Sequence, residues 1–224
     1  MIPGGISPLL ITSSTSQWLV VDTWDVNAQG NSMSFPNSQS GDMFLFVASS
    51  DNSQPNIQSG NGVSVIERDR VNSVGYGIFA APNSGSVNSI PMTAVLQDFD
   101  QAIAFTVRAN NNFTNTNGVT YKGDSLRATG SGNTPSHDNL SSNYSANSLA
   151  LQLVFWNRDN VNKNRWFPPS GATLIESSTS GSNTGSLAVS FQPIGAAGSY
   201  SWGAWGQLNV SDDWVTVLVE IIEP

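Results

Sequence analysis

Two halves of this 224-residue chain carry strand-like segments in the same order, and this internal repeat limits the possible folds more than any other feature. The first half reads GDMFLFVA, VSVIE, YGIFAAP and QAIAFTVRA; the second reads SLALQLVF, ATLIE, SLAVSFQP and DWVTVLVEI. Four equivalent pairs lie at offsets of 106, 109, 111 and 112 residues: Leu45 and Leu151, Ile66 and Ile175, Pro82 and Pro193, and Ala102 and Trp214. Such a repeat predicts a duplicated strand set.

Short apolar segments separated by turn residues indicate β-structure throughout the chain. No long stretch keeps the apolar spacing of a helix without Gly, Pro or Ser/Asn clusters interrupting it. The strand number and spacing predict an all-β fold, an antiparallel β-sandwich or jelly roll. The predicted strands are Trp18–Asp22, Met43–Ser49, Val63–Glu67, Gly75–Ala80, Ala102–Arg108, Ser148–Phe155, Ala172–Glu176, Ser186–Phe191, Tyr200–Trp205 and Trp214–Ile221.

The two copies could form two domains or the two sheets of one sandwich. We favour one sandwich over residues 17–224, because each copy alone has only about five strands. Its halves cover roughly residues 40–109 and 148–222, and a polar loop over residues 110–147 connects them. We expect that loop to be exposed, with one short strand near Val119–Lys122, and to suit a recognition surface.

The predicted strands differ in how many faces they bury. Met43–Ala48 and Leu149–Phe155 are apolar at nearly every position, which is typical of strands covered on both faces. Ser186–Phe191 alternates between apolar and polar residues, which predicts one face in solvent.

Charge and composition exclude several classes of function. The net charge is −8 with only two lysines, which disfavours nucleic-acid binding because that needs clustered cations. The absence of cysteine excludes disulfides and thiolate metal sites. We find no membrane-spanning segment and no leader, so we expect no membrane insertion; a role outside the cell would follow from lysis or from release within a particle.

No pattern of residues predicts a catalytic centre, a cofactor or a metal site. His137 is the one histidine, and its Ser/Asn-rich surroundings predict a surface loop. Asp98/Asp100 and Asp212/Asp213 could serve a glycosidase or bind calcium, but each pair precedes a strand at equivalent points of the repeat, where Asp is a common turn residue.

Seven tryptophans are many for a chain of this size. Core packing is one interpretation, because Trp buries a large apolar area with one polar group. Stacking on carbohydrate is the other, and Arg158, Lys163 and Arg165 lie near two of the indoles. The candidate carbohydrate or partner surface comprises Tyr200, Trp202, Trp205, Trp156 and Trp166.

Residues 1–16 are interpreted as an N-terminal arm. The segment is too short to fold alone, yet it carries a series of aliphatic residues that could dock on a partner. These are Ile2, Ile6, Leu9, Leu10 and Ile11. A disordered tail is the alternative interpretation.

Three motifs stand out along the chain: the Gly41-Asp42 pair before an apolar run, the Pro168-Pro169-Ser170-Gly171 turn before ATLIE, and the strand that begins at Trp214. Together they resemble a family of tailed-phage structural proteins that also occurs in bacterial surface proteins. The family's usual tryptophan after this turn is Ala172 here, and Gly60-Asn61-Gly62 replaces the turn in the first half. The resemblance implies a β-sandwich displayed on a virion and no catalytic residues.

From this resemblance we expect a non-enzymatic virion structural protein. The favoured role is a capsid decoration protein on the particle surface, oligomeric and bound to other virion proteins. The alternative is a tail-fibre or adhesin module that binds host carbohydrate through Trp202, Trp205 and residues 110–147. A glycoside hydrolase or esterase is the third class, and the sequence favours it least.

Overall fold

In a computed structural model of the chain, the described residues are 9–12, 17–26, 32–51, 53–57, 62–85, 89–91, 95–127, 132–137, 140–157, 166–179, 185–206 and 211–224. Their regular secondary structure is almost entirely β-strand, which confirms the all-β prediction. Within these ranges no helix has the length and apolarity needed to cross a membrane.

The strands of the first half are short and separated by turns and loops. They are β1 (Leu9–Thr12), β2 (Gln17–Asp25), β3 (Ser32–Ser34), β4 (Met43–Ser50), β5 (Asn56–Ile57), β6 (Ser64–Val71), β7 (Val74–Pro82), β8 (Ser89–Pro91), β9 (Leu96–Gln97) and β10 (Gln101–Arg108). Those of the second half are β11 (Val119–Arg127), β12 (Ser141–Tyr144), β13 (Ser148–Trp156), β14 (Thr173–Ser178), β15 (Ser186–Ile194), β16 (Gly198–Ser201) and β17 (Trp214–Ile221).

Two antiparallel sheets form the sandwich, and each comes from one half of the chain. Sheet A has the order β1-β2-β10-β4-β7-β6, and sheet B has the order β11-β17-β13-β15-β14. The remaining strands form the two-stranded pairs β3-β8, β5-β9 and β12-β16. Because neither sheet takes strands from both halves, the architecture is a sandwich of two sequential sheets, without the strand exchange of a jelly roll.

The strand order itself shows the duplication. If the edge strand β1 is set aside, sheet A uses β2, β4, β6, β7 and β10, and sheet B uses β11, β13, β14, β15 and β17. In both sheets the spatial order is first, fifth, second, fourth, third. The sequence repeat therefore corresponds to a repeat of topology.

Equivalent β-bulges reinforce this correspondence. The β6–β7 ladder shifts at Ile66 and the β14–β15 ladder at Ile175, the pair matched in the sequence. The β2–β10 and β11–β17 ladders also shift, at Val21 and Lys122. One register differs between the two copies. Leu45 of β4 lies opposite Phe105 of β10, whose sequence equivalent in β17 is Val217. Leu151, the equivalent of Leu45, lies opposite Val219, which is two residues further along β17. A slip of two residues keeps every side chain on its face.

The main core lies between the two sheets. Each sheet contributes one face, with residues such as Leu45 and Phe105 from sheet A and Leu153 and Val217 from sheet B. Strand β2 faces β14 and β6 faces β11, while β4 faces β15 and β7 faces β13. Each of these four contacts has a counterpart with the halves exchanged, which is the pattern of an approximate pseudo-two-fold axis. The symmetry is not complete, because β10 also contacts β14 and β15 more extensively than β17 contacts β6 and β7.

Both outer faces are also covered. Over sheet A, Met33, Phe35, Val95 and Leu96 pack against the outward side chains of β4 and β10. Every residue of β4 and β13 is buried, as predicted for continuously apolar strands. The prediction of a wet face for Ser186–Phe191 is wrong: all six residues are buried, and the hydroxyl of Ser190 donates to Oε1 of Gln152 at 2.9 Å.

Two segments outside the predicted repeat halves belong to the sheets. In the predicted arm, Leu9, Leu10 and Ile11 lie in β1, paired with Val20, Leu19 and Trp18, whereas Ile2 and Ile6 lie outside the described residues. Within the expected loop 110–147, the short strand predicted near Val119–Lys122 is present but longer: residues 119–127 form β11, a full strand of sheet B. The polar composition hid the strand's length and its place in a sheet, because only residues such as Val119 and Tyr121 pack against the core.

Candidate functional site

Aromatic side chains form a layer on the outer face of sheet B, and we call it the aromatic layer. One cluster contains Val154, Trp156, Trp166, Ala188, Trp205 and Trp214. A second contains Tyr144, Ala150, Ile194, Trp202 and Leu218, with Tyr200 packed against it. All five residues of the predicted carbohydrate or partner surface therefore lie in this layer.

Four of those five residues are buried. The exposed fraction is 0% for Trp156, 3% for Trp166, 5% for Trp202 and 1% for Trp205. A sugar ring stacks on an open indole face, and burial at this level leaves none. The expectation of a carbohydrate platform made of these tryptophans is thus corrected: they pack within the protein.

Tyr200 is the one member of the predicted surface that stays half-exposed. Its ring stacks on Trp202 with centroids 6.0 Å apart and meets Tyr144 edge-on at 5.9 Å. Its hydroxyl donates to the carbonyl of Ala196 at 2.8 Å. Tyr200 therefore has a fixed orientation and a partly open ring.

Segments without regular secondary structure cover the aromatic layer, and hydrogen bonds fix their position. The predicted strand Tyr200–Trp205 is instead the end of β16 followed by an extended segment in which Ala204 bridges to Ser136. The Trp205 N–H donates to the carbonyl of Pro135 at 2.8 Å. The Thr216 hydroxyl donates to the carbonyl of Ser136 at 2.9 Å, which joins this segment to β17.

The Pro-Pro turn presents an exposed aromatic ring. Phe167 is 56% exposed, and the only other large hydrophobic residue exposed in the described ranges is Val65 on β6. The Gly206 N–H donates to the carbonyl of Phe167 at 2.8 Å, and a Cβ at Gly206 would lie 2.7 Å from that of Phe167. Glycine is therefore needed at position 206 to let the Phe167 side chain approach.

His137 is buried beneath the aromatic layer, so the prediction of a surface loop is wrong. Its exposed fraction is 0%, and its Nε2 accepts a hydrogen bond from Nε1 of Trp205 at 3.3 Å. Burial lowers the pKa of His137 to about 3, so the imidazole is neutral at pH 7. Its Nδ1 has no hydrogen-bond partner among the described residues.

A buried ion pair joins β11 to β17 in sheet B. Lys122 Nζ lies 2.6 Å from Oε2 of Glu220, whose side chain is 0% exposed. Burial alone would raise the pKa of Glu220, but hydrogen bonds from Lys122 and the backbone N–H of Ser145 outweigh it and hold the pKa below its ordinary value. Lys122 also lies 5.6 Å from the ring centre of Tyr144.

The Gly41-Asp42 motif forms the matching ion pair of sheet A. Gly41 has a φ of +93°, which favours glycine, and Asp42 follows it. Arg108 donates two hydrogen bonds to the Asp42 carboxylate, from Nε to Oδ1 at 2.7 Å and from Nη2 to Oδ2 at 2.9 Å. Arg108 and Glu220 are equivalent in the sequence repeat, and each forms an ion pair, although their partners Asp42 and Lys122 are not equivalent.

The acidic pairs have structural partners. Asp100 Oδ2 accepts the N–H of Asp51 at 2.8 Å, and Asp98 has a φ of +58° in a turn. Asp213 Oδ2 accepts the hydroxyl of Ser73 at 3.1 Å. In the part of the chain that the structure describes, no group of three or more His, Cys, Asp or Glu residues could hold a metal ion.

One described pocket lies where the loop after β10 meets the C-terminal residues. Its volume is about 340 Å³, and its lining includes Phe113, Thr114, Asn115, Asn117 and Glu223. The N–H groups of Asn110 and Asn111 donate to Glu223 at 2.9 and 3.2 Å. The pocket can offer the amide and hydroxyl groups of Thr114, Asn115 and Asn117.

Sequence reasoning found the aromatic residues but missed how they are used. No signal in the segment around His137 marks it as buried, because Ser and Asn surround it in the sequence. Phe167 directly precedes the Pro168-Pro169 turn, and its contact with Gly206, which lies far along the chain, has no local sequence signal.

Comparison with protein-family models, curated proteins and solved structures gave no match for this chain.

Proposed function

We propose that this chain is a non-enzymatic structural protein of a tailed-phage virion, most specifically a decoration protein on the capsid surface. The proposal starts from the resemblance of the Gly41-Asp42 and Pro-Pro turn motifs. One observation carries it: both outer faces of the sandwich are covered by the chain's own loops. The surface left for a partner therefore consists of the sheet edges, the turns and the N-terminal arm, because the aromatic layer packs within the protein.

The proposed contacts with the particle lie on the N-terminal arm and the Pro-Pro turn. Strand β1 is an edge strand of sheet A, where it pairs with β2, and the proposed arm contact uses the residues that precede it in the sequence. Phe167 offers an exposed aromatic ring, a residue type enriched where proteins associate. The partners are other virion proteins, and the favoured assembly is a homo-oligomer on the particle surface.

Particle binding tests this proposal. Virions from a producing culture should carry the chain in a fixed ratio to the major capsid protein, and cryo-electron microscopy should place it on the outer surface. A variant without residues 1–8, which keeps β1, should retain the thermal unfolding midpoint of the intact chain and lose particle binding. Phe167→Ser provides a second contact variant, with Val65→Ser as its exposed control on β6.

Two results would contradict the proposal. The first is a chain that remains entirely in the non-sedimenting fraction of the lysate while capsids are complete. Alternatively, the variant without residues 1–8 and Phe167→Ser could both bind particles as tightly as the intact chain, which would remove both proposed contacts.

A host-carbohydrate module is the second candidate, and the pocket beside Phe113 favours it. Amide and hydroxyl groups from Thr114, Asn115 and Asn117 are typical ligands for sugar hydroxyls. Half-exposed Tyr200 is the remaining stacking residue of the predicted surface. A glycan array separates the two functions: a signal abolished by Asn115→Ala and Asn117→Ala would favour the carbohydrate module.

A further inference from the structure

Polar side chains meet between the two sheets, at the end of the main core where β2 and β14 terminate and β10 begins. Asp25 ends β2, Gln101 begins β10 and Ser178 ends β14. Asp25 pairs with Ile103 and Ser178 with Leu187, and both partners belong to the inter-sheet core. The three side chains therefore point between the sheets.

These side chains are buried almost completely. The exposed fractions are 3% for Asp25, 2% for Gln101 and 0% for Ser178. Ser49 lies directly opposite Gln101 in the β4–β10 ladder and is 1% exposed. Four polar side chains in a water-poor position require a physical reason, because burying polar groups is costly.

Ser178 is in contact with both of the other groups. Its hydroxyl donates to Oδ1 of Asp25 and lies 3.0 Å from Oε1 of Gln101. A serine hydroxyl has one proton, so it cannot donate to both oxygens at once. When the proton points to Asp25, a lone pair of the Ser178 oxygen is left facing the side-chain amide of Gln101.

This arrangement has the parts of an acyl transfer. A hydroxyl with an adjacent carboxylate is a nucleophile with a general base. The carbonyl carbon lies about 1.2 Å from its oxygen, and the hydrogen bond approaches that oxygen at 90° or more, so the Ser178 oxygen is about 3.2 to 4.2 Å from Cδ of Gln101, within about 1 Å of the distance of attack.

We propose that Ser178 and Gln101 form an intramolecular ester that joins the two sheets. Ser178 Oγ attacks Cδ of Gln101, and Asp25 takes the hydroxyl proton. The C–N bond of the amide then breaks, and the nitrogen leaves as ammonia with the proton that Asp25 received. One C–O bond replaces one C–N bond, with no oxidant, reductant or further reactant.

Ser49 is placed to assist this reaction as a positioning and hydrogen-bonding group. Its hydroxyl has no hydrogen-bond partner among the described residues, and side chains directly opposite in an antiparallel ladder have Cβ atoms about 5 Å apart. It can donate to the oxygen of Gln101 when that oxygen becomes negatively charged.

The ester would supply a covalent connection that the chain otherwise lacks. There is no cysteine, so no disulfide can join the sheets. Positions 101 and 178 are 77 residues apart, and a cross-link over such a loop restricts the unfolded chain strongly. Burial also keeps water from hydrolysing the product. This inference does not depend on where the protein is displayed.

Intact mass spectrometry of the denatured full-length protein tests the proposal. The loss of ammonia should make the chain about 17 Da lighter than its sequence mass, because ester formation from an amide releases that one molecule. Trypsin should then release residues 71–108 joined to residues 166–224, since Arg70, Arg108 and Arg165 are the flanking cleavage sites and neither segment contains an internal Lys or Arg. Mild alkaline hydroxylamine should separate the two peptides.

Matched variants locate the reaction. Ser178→Ala should have its full sequence mass and give separate peptides, whereas Ser177→Ala, which changes the buried neighbour, should keep the cross-link. Asp25→Asn should lower the cross-linked fraction at least tenfold in freshly folded protein. Far-UV circular dichroism of each variant verifies folding; if Asp25→Asn does not fold, Ser178→Ala and Gln101→Glu still decide the proposal.

The proposal is overturned by any of three results. The wild-type mass could equal the sequence mass with no joined peptide. Ser178→Ala could show the same loss of mass, which would assign the loss to succinimides at Asn61-Gly62 or Asn117-Gly118. A folded Asp25→Asn variant that cross-links at the wild-type rate would remove the general base from the proposal.

Discussion

Single residues fix how closely the strands and loops approach, and Gly75 is the clearest example. A Cβ at this position of β7 would lie 1.8 Å from the carbonyl oxygen of Ser53 and 3.2 Å from that of Ser50. Gly75→Ala should therefore lower the free energy of unfolding by about 3 kcal/mol or more, since backbone would have to move. Urea denaturation measures the loss.

Gly195 is the matched control for this prediction. It is exposed, and a Cβ there would meet no atom within 4 Å. Gly195→Ala should change the free energy of unfolding by less than about 0.5 kcal/mol. Equal urea midpoints for the two variants would show that the contact of Gly75 with Ser53 does not constrain the fold.

His137 should make the protein sensitive to acid. Burial lowers its pKa from the ordinary 6.5 to about 3, so between these values the unfolded chain binds a proton that the folded chain does not. The free energy of unfolding should therefore fall as the pH falls through this range, by up to about 1.4 kcal/mol per pH unit. The stabilising contribution is complete above pH 6.5.

Comparison with His137→Gln isolates this effect from the carboxylates. From pH 7 to pH 4 the wild-type protein should lose more stability than the variant. His137 is the only histidine in the chain, so its imidazole gives one NMR signal that should not titrate between pH 5 and pH 8. A midpoint near pH 6.5 would mean that the side chain is exposed to solvent.

The sequence identified which residues are large and aromatic, but their exposure depends on segments far away in the chain. Trp205 is buried because its N–H reaches Pro135 and because His137 packs against it. Neither contact has a local sequence signal. For this reason the carbohydrate surface was predicted from the right residues and with the wrong exposure.

At the level of elements, strand ends carry the charges that the sandwich buries. Lys122 occupies the bulge of β11 and pairs with Glu220 at the end of β17. Its side chain is 20% exposed, whereas that of Glu220 is fully buried. Lys122→Met should destabilise the protein by about 3 kcal/mol at pH 7, because it leaves a buried charge without its partner.

A second substitution and a control sharpen this prediction. Lys122→Met combined with Glu220→Gln should regain most of the loss, since no buried charge remains. Arg70→Met on the exposed edge strand β6 removes a cation from the same kind of strand and should change the stability by less than about 0.5 kcal/mol. Thermal unfolding that gave equal losses for Lys122→Met and Arg70→Met would contradict the role of the pair.

Strand identity could be predicted fully where apolar residues dominate, as in β4 and β13, and only in part where they do not. β11 reads VTYKGDSLR: the pattern predicts a short strand near Val119–Lys122, where Val119 and Tyr121 pack on the core, but the polar residues that follow give no signal that the strand continues to Arg127. β1 was assigned to an arm because four residues carry too little pattern to predict pairing.

At the level of the whole molecule, duplication explains the architecture. Each half forms one sheet with the same strand order, and the inner face of each sheet is apolar except for the polar cluster around Ser178. The repeat could be read from the sequence because the offsets of equivalent residues are nearly constant. The jelly-roll alternative could not be excluded in advance, because a strand pattern does not determine which sheet a strand joins.

The pseudo-two-fold arrangement makes each sheet the partner of the other, and this leads to a prediction about folding. A fragment of residues 1–114 or of residues 115–224 would expose the face that packs between the sheets. Neither fragment alone should unfold cooperatively, because its sheet lacks a cover for its inner face. An equimolar mixture should form a 1:1 complex with the far-UV circular dichroism of the intact chain.

Size-exclusion chromatography with light scattering, followed by thermal unfolding, decides this prediction. The intact chain, studied under the same conditions, should show one transition, because one core contains side chains from both sheets. If either fragment is monomeric and unfolds cooperatively by itself, then each repeat is an independent domain. The inter-sheet core would then stabilise only the association of two domains that fold separately, and neither sheet would need it in order to be stable.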